Sequence, residues 1–277
     1  MIKIQNLMED KPSENIALKA EHGLSFFVET AKHKFLFDCG ASNSTLLNAH
    51  RLGVHLEQAQ FAVCSHSHYD HAAGFRDIAE QQLAPQTLYT GPGFFQKKYA
   101  KDGIRYSDLS CGFDQAFLVK HHISHIEVNG LLKLDEGLWL IGNFPRKHSF
   151  ETIPARFVKD TGAEFVTDDF SDEICLVIAT SHGLVVLTGC SHPGILNIVT
   201  TVHERLKQSV YAVIGGTHLM EADQERIKLT FQELQNLGLK VAGFCHCSGA
   251  QAIEYLKDYP GLAGCRVTAG DSIFLKE

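Results

Sequence analysis

The segment Phe61–Phe75, FAVCSHSHYDHAAGF, places three histidines and an aspartate directly after an apolar run. With 16 histidines in 277 residues, chance produces a His-x-His-x-Asp-His match in only about three of a thousand such chains. Residues two apart in an extended segment point the same way, so His66 and His68 can bind one ion together. A turn then displaces Asp70 and His71 toward a second ion. The segment therefore predicts a metal site at the end of a strand.

Short apolar runs bounded by turn residues predict strands in both halves of the chain. The early strands are IKIQNL, LSFFVET, KFLFDCG and FAVCS, with a short helix over NSTLLNAHRLG. Later strands alternate with helices; among these strands are EICLVIAT, GLVVLTGC, VYAVIGG and KVAGFCHC. An α/β fold in which helices enclose two sheets accounts for both patterns.

The chain is expected to form a single domain over residues 1–277, because α/β folds of this length are often undivided. The stretch 94–170 has mixed patterning and many aromatic residues, so we interpret it as an insertion that forms a substrate lid. Its aromatic side chains, including Trp139, would stack on a planar substrate or close over the site. Packing of most of them in the insertion's own core is the alternative.

Charge and composition narrow the range of partners. The formal net charge of −7 argues against nucleic acid and anionic membranes, although a bound metal would still attract an anion. The chain shows no secretion signal and no apolar run that is long enough to span a bilayer. Its eight irregularly spaced cysteines favour reduced thiols over disulfides. We expect a cytoplasmic protein whose partner is a small anionic molecule.

Polar side chains follow several predicted strands at the point where each strand ends. They are Asp38, His66, Cys190, His192 and His246. Ligand sites in sheet proteins gather at one end of the strands, so these side chains are expected to converge. Imidazole with carboxylate suits zinc, iron or manganese, and a thiolate also binds zinc. For Cys190 the alternative is a buried thiol without a ligand, and for Asp38 it is a residue that only shapes its turn.

The motif HSHYDH resembles the His-x-His-x-Asp-His signature of the metallo-β-lactamase superfamily. FLFDCG, TGCSH and GFCHCSG resemble its other motifs, so the resemblance covers nearly the whole chain. The segments EHGLSFFVET, GCSHPGILNIV and GGTHL resemble a particular branch, the dihydropteroate-synthase-like metal-dependent hydrolases associated with methanopterin biosynthesis. The resemblance implies a four-layer αββα sandwich with one or two divalent ions at one edge, zinc first and iron or manganese as alternatives.

The resemblance also implies a ligand set. It places one ion on His66 and His68 and a second on three residues: Asp70, His71 and His246. His192 is the further ligand expected from the middle motif, with His148 in PRKHSFE as the alternative. The aspartate that usually bridges the ions in this motif is replaced by Cys190, a ligand type that the zinc β-lactamases of the superfamily also use.

Five other histidines are assigned outside this ligand set or at its edge. His218 in GGTHL is expected either to touch substrate or metal or to start a helix. The others are expected at the surface or in the insertion, namely His22, His121, His122 and His125.

The resemblance implies a metal-dependent hydrolase. In it, metal-bound hydroxide attacks a small phosphorylated or cyclic ester, and phosphodiester cleavage is the first expectation. Asp70 is expected to steer the hydroxide and to shuttle a proton. One alternative is a pterin-related group transferase, in which another substrate replaces water. The other is a metal-bound sensor or interaction module without turnover.

Overall fold

The computed structural model describes residues 1–277 and contains eighteen β-strands and seven α-helices. The strands are β1 (Ile2–Met8), β2 (Ser25–Glu29), β3 (Lys34–Phe37), β4 (Phe61–Val63), β5 (Thr87–Thr90), β6 (Lys98–Asp102), β7 (Arg105–Asp108), β8 (Ser124–Glu127), β9 (Leu131–Asp135), β10 (Leu138–Gly142), β11 (Phe157–Asp160), β12 (Phe165–Thr167), β13 (Ile174–Thr180), β14 (Gly183–Thr188), β15 (Val210–Gly215), β16 (Val241–Phe244), β17 (Ala263–Arg266) and β18 (Ser272–Leu275). The helices are α1 (Ser44–Arg51), α2 (Tyr69–Ala72), α3 (Gly74–Glu80), α4 (Gln115–Lys120), α5 (Ile195–Leu206), α6 (Gln224–Asn236) and α7 (Ala250–Lys257).

Two seven-stranded sheets carry the fold. The first has the order β18-β1-β2-β3-β4-β5-β8 and the second β17-β16-β15-β14-β13-β10-β9. Strands β3, β4 and β5 run parallel in the first sheet, as do β14, β15 and β16 in the second. Parallel neighbours end at the same edge of a sheet, so the segments that follow them lie together.

The two sheets pack face to face and bury apolar side chains between them. Phe26 and Phe35 of the first sheet share one buried cluster with Leu176 and Ile214 of the second. Each such side chain contributes roughly 1.5–3 kcal/mol when it is removed from water. This central layer of side chains fixes the position of the two sheets relative to each other.

Helices cover the outer face of each sheet. Helices α5, α6 and α7 pack on the second sheet, through residues such as Val199, Phe231 and Ile253. Helices α1 and α3 pack on the first sheet, through residues such as Ala49 and Phe75. The layers therefore run helix, sheet, sheet, helix, and the predicted αββα class is confirmed.

The stretch 94–170 does not form one continuous insertion. Strand β8 extends the first seven-stranded sheet, and β9 and β10 extend the second. The run LWLIG in β10 pairs with β13, so it belongs to the main fold. Only β6, β7, β11 and β12 form a separate sheet, in the order β12-β11-β6-β7, which we call the small sheet.

Helix length also bears on membrane association. The longest helix, α6, has 13 residues, and none of the helices has the length and apolar character that crossing a membrane requires.

Candidate metal centre

Three histidines from the segments after β4 and β14 form a first donor group, consisting of His66, His68 and His192. The ligand nitrogens of this group lie within 4.8 Å of one another. Nε2 of His66, Nε2 of His68 and both ring nitrogens of His192 are buried without a hydrogen-bond partner. Buried polar atoms are nearly always paired, so four unpaired nitrogens in one place fit a ligand that binds there. Burial also lowers the pKa of all three imidazoles well below the usual value, which favours the neutral form that binds metal.

A second donor group adjoins the first. It consists of Asp70, His71, Cys190 and His246, whose ligand atoms also lie within 4.8 Å of one another. Nε2 of His71 is 3.2 Å from Sγ of Cys190 and 3.1 Å from Nε2 of His246. The rings of His66 and His71 have centroids 4.3 Å apart, so the two donor groups are in direct contact. Imidazole, carboxylate and thiol donors together fit zinc best among the common divalent ions.

Sharp backbone turns aim these side chains into one place. Asp38, Ser191 and His246 follow β3, β14 and β16, and their φ angles are 56°, 62° and 51°. Non-glycine residues rarely adopt positive φ, which costs of order 1–3 kcal/mol per residue. Strained backbone of this kind clusters at functional sites, and here it follows three strand ends that meet.

Asp38 orients His71 of the second donor group. Its Oδ2 accepts hydrogen bonds from His71 Nδ1 at 2.7 Å and from the Ser65 hydroxyl at 2.9 Å. Its Oδ1 accepts the Ser65 backbone N–H at 2.7 Å. A carboxylate on Nδ1 leaves the Nε2 lone pair of His71 facing Cys190 and His246.

The loop that carries His192 is held by a buried carboxylate. Glu173 accepts the backbone N–H groups of Ser191 and His192, the latter at 2.8 Å. Burial raises the pKa of Glu173 well above its usual value. The ring of Phe170 stacks on His192 with a centroid distance of 3.8 Å, so backbone and ring are both fixed.

A buried lysine of the small sheet connects that sheet to the first donor group. Lys98 Nζ lies 2.6 Å from Asp172 Oδ1 and 3.0 Å from Asp168 Oδ2. Asp172 in turn accepts the backbone N–H of Ser67, between His66 and His68, at 2.9 Å. Nζ also lies 4.6 Å from the centroid of Phe170, the ring that stacks on His192.

The other candidate histidines lie at different distances from the donor groups. His218 has its ring centroid 4.4 Å from that of His192, beside the first donor group. His148 pairs with the Thr200 hydroxyl at 3.0 Å and belongs to neither group. His121, His122 and His125 lie at the end of α4 and on β8, also outside both groups.

His22 departs from the expectation of an ordinary surface residue. Its side chain is 52% exposed, yet its Nε2 lies 3.2 Å from Asp70 Oδ2 in the second donor group. Its Nδ1 lies 3.0 Å from Asp10 Oδ2, and Asp10 Oδ1 accepts a hydrogen bond from His246 Nδ1 at 2.7 Å. Asp10 was missed, although it follows β1 and the strand-end rule that selected Asp38 applies to it as well.

The comparisons with known proteins agree with this architecture. The family model of the metallo-beta-lactamase superfamily matches residues 18–187. The chain is 32% identical over 268 residues to the 7,8-dihydropterin-6-methyl-4-(beta-D-ribofuranosyl)-aminobenzene-5'-phosphate synthase of Methanocaldococcus jannaschii, covering 91% of this chain and 89% of that protein. The chain belongs to the metallo-β-lactamase superfamily, so the resemblance seen in its motifs is confirmed.

Solved structures show the same fold. The crystal structure of Tm1679, described as a metal-dependent hydrolase of the beta-lactamase superfamily, aligns over 100% of both chains with a TM-score of 0.84 and 27% identity. Zinc-bound PqqB from Methylobacterium extorquens aligns over 99% of this chain and 100% of its own, with a TM-score of 0.59 and 13% identity. The second likeness extends to the fold alone.

Proposed function

We propose that this protein is a metal-dependent enzyme with two adjacent divalent ions, one in each donor group. The observation that carries the proposal is the convergence of seven donor side chains, with four buried ring nitrogens left unpaired. Zinc is the proposed metal because a donor set of one thiol, five imidazoles and one carboxylate suits it best. When bound, two such ions polarise a phosphoryl or carbonyl oxygen and lower the pKa of bound water.

The proposed reaction is hydrolysis of a small anionic ester, with a phosphodiester as the first substrate class. Asp70 supplies the carboxylate that faces the nucleophile. Burial opposes its ionisation, but the neighbouring His71 and the contacts with His22 and His246 hold the pKa of Asp70 well below its usual range. An ionised Asp70 accepts a hydrogen bond from the nucleophile and so orients its attack.

The small sheet is proposed to act as a lid over the first donor group. Phe157 of β11 has its ring centroid 5.5 Å from that of His68 and 5.2 Å from that of His192. All seven donor side chains are buried. Exclusion of water by a lid strengthens electrostatic interactions within the site and restricts which small molecules reach it.

A second candidate function is group transfer to a nucleophile other than water, and two observations support it. The M. jannaschii relative, similar over most of both chains, is named a synthase of a dihydropterin-6-methyl compound. The first donor group is also shielded by aromatic rings, and a transferase must keep water from competing with its second substrate. In this version Asp70 orients an amine nucleophile, and the lid encloses a planar pterin ring.

The test begins with metal content and then compares the two reactions. Protein purified without chelator is assayed for zinc, manganese and iron, and then for cleavage of a chromogenic phosphodiester with each metal. His68→Ala is expected to lose more than about 100-fold in activity, since ligands matter more than their supporting residues. His148→Ala removes a histidine outside both groups and is the matched control, expected to retain activity.

The outcomes separate the candidate functions. Phosphodiester cleavage that is lost in His68→Ala and kept in His148→Ala supports hydrolysis. Joining of a 7,8-dihydropterin that carries a phosphate ester on its 6-methyl carbon to an aminobenzene nitrogen, with release of the phosphate and a proton and without phosphodiester cleavage, supports transfer. Tight metal binding with neither activity contradicts both and favours the sensor or interaction module.

A further inference from the structure

Asp10 and His22 close a cycle of polar contacts with two members of the second donor group. Asp10 contacts the Nδ1 atoms of His246 and His22 at 2.7 and 3.0 Å. The Nε2 atoms of His22 and His246 lie 3.2 and 3.3 Å from Asp70 Oδ2. Each of the four side chains therefore touches two others in the cycle, and the cycle joins an exposed loop to a buried donor group.

The loop between β1 and β2 supplies both new members and is itself fixed to the fold. Asp10 also accepts the backbone N–H of Gly23 at 3.2 Å, next to His22 in the chain. The Ser42 hydroxyl donates to Glu21 at 2.9 Å, and the Asn48 side chain accepts the backbone N–H of Lys19 at 2.8 Å. The loop is therefore fixed by contacts that do not involve His246, and Asp10 contacts His246 from this fixed loop.

The contacts of Asp10 are directed at the site. Its side chain pairs with His246, His22 and the Gly23 backbone, and no lysine or arginine forms an ion pair with it. His246 has no other partner for Nδ1, while its Nε2 faces Asp70 and His71. The ring orientation of His246 therefore depends on Asp10.

We propose that Asp10 is a positioning residue for the second ion and that His22 positions Asp10 and Asp70 together; the proposal rests on the metal centre proposed above. A neutral imidazole carries its proton on one nitrogen, and a carboxylate at Nδ1 keeps the proton there. Nε2 of His246 then presents its lone pair to the second donor group. Asp38 does the same for His71, so both histidines of this group are oriented by an aspartate.

Asp10→Asn is the decisive variant because it keeps the shape of the side chain and changes its hydrogen-bonding chemistry. The two oxygens of Asp10 face Nδ1 of His246 and Nδ1 of His22, so the amide of asparagine places its NH2 against one ring and its carbonyl against the other. An NH2 against His246 donates to Nδ1, which moves the imidazole proton to Nε2 and blocks the lone pair that faces the ion. A carbonyl against His246 accepts from Nδ1 but forms a weaker hydrogen bond than the ionised carboxylate does. We expect the affinity for the second ion to fall about 10–100-fold and that for the first to stay unchanged. His22→Gln is expected to show a smaller loss, since His246 still pairs with Asp10.

The measurement is metal binding, and it needs no substrate. Chelator competition with zinc gives the affinity of each ion, and cobalt(II) substitution gives the visible absorption of a thiolate-bound ion through Cys190. At equal cobalt occupancy, Asp10→Asn is expected to alter this absorption because His246 is displaced, and Asp10→Glu is expected to restore part of it. Glu21→Gln, in the same loop but bonded to Ser42, is the matched control and is expected to match the wild type.

Three results would overturn the proposal. The first is an Asp10→Asn variant that binds both ions with wild-type affinity and absorption. The second is an equal loss in Glu21→Gln, which would assign the effect to folding of the loop, with circular dichroism as the check. The third is wild-type protein that binds no ion, which would refute the proposed metal centre as well. If the wild type binds both ions and Asp10→Asn binds them equally well, only the positioning role of Asp10 is refuted.

Discussion

Replacing Lys98 by methionine tests whether the small sheet is fastened to the site by a buried charge. The residue is 2% exposed, and its Nζ lies 2.6 Å from Asp172 and 3.0 Å from Asp168, which are equally buried. Methionine keeps most of the volume of the side chain but leaves two carboxylates without a cation. Removing one partner of a buried ion pair costs about 3–5 kcal/mol, so we expect the free energy of unfolding to fall by that amount at pH 7.

The pH dependence of the loss gives a second measure. Burial already raises the pKa of Asp168 in the wild type, even with Lys98 beside it. Without the lysine, that pKa rises further above its unfolded value, so the folded variant binds more protons than the unfolded chain does. The deficit in the free energy of unfolding of Lys98→Met relative to the wild type is therefore expected to shrink as pH falls and to grow as pH rises.

Urea unfolding followed by circular dichroism measures both effects. Lys101→Met makes the same substitution on the same strand at an exposed position, and a change within about 0.5 kcal/mol is expected there. A loss in Lys98→Met of less than about 1 kcal/mol, or one equal to that of Lys101→Met, would refute the reasoning that the lysine neutralises two buried carboxylates.

Three further predictions concern the site and its supports. Asp38→Asn releases His71 Nδ1 and is expected to lower metal affinity about 10–100-fold in chelator competition, and an unchanged affinity would contradict its orienting role. Burial raises the pKa of Glu151 from 4.5 to about 7, so this residue is expected to make unfolding free energy fall as pH rises through that interval. Urea midpoints measured across the interval should show this pH dependence in the wild type and lose it in Glu151→Gln. An identical pH dependence in the two proteins would contradict the prediction. Zinc at 100 times its dissociation constant is expected to add about 2.7 kcal/mol to the stability of chelator-treated protein, seen as a higher melting temperature; no shift would indicate that the folded state does not bind it.

The fold was predictable because its determinants are local. Alternating and apolar runs predicted nearly every strand of the two main sheets, and the ends of several strands pointed to a polar residue. Asp38, His66 and His246 were selected in this way, and the structure brings them to one edge. The organisation of the stretch 94–170 was harder to predict from the sequence. Strands β8–β10 and the strands of the small sheet have similar hydrophobic patterns, and only the strands with which they pair distinguish them.

The supports of the candidate site depend on contacts between distant parts of the sequence. Asp10 and His246 are 236 positions apart, and Lys98 and Asp172 are 74 apart. No periodicity links such pairs, since their proximity follows from how the sheets stack. Glu173 gave no signal either, because a buried glutamate that holds backbone N–H groups is indistinguishable in sequence from an exposed one.

The division of the donors between the two sheets has a consequence for how the protein matures. His66, His68, Asp70 and His71 follow β4, whereas Cys190, His192 and His246 follow β14 and β16 more than a hundred positions later. While the chain is being synthesised, its first half offers only part of each ligand set. Metal held by the finished site would then act as a cross-link between halves made at different times, and it would be acquired only after both had docked.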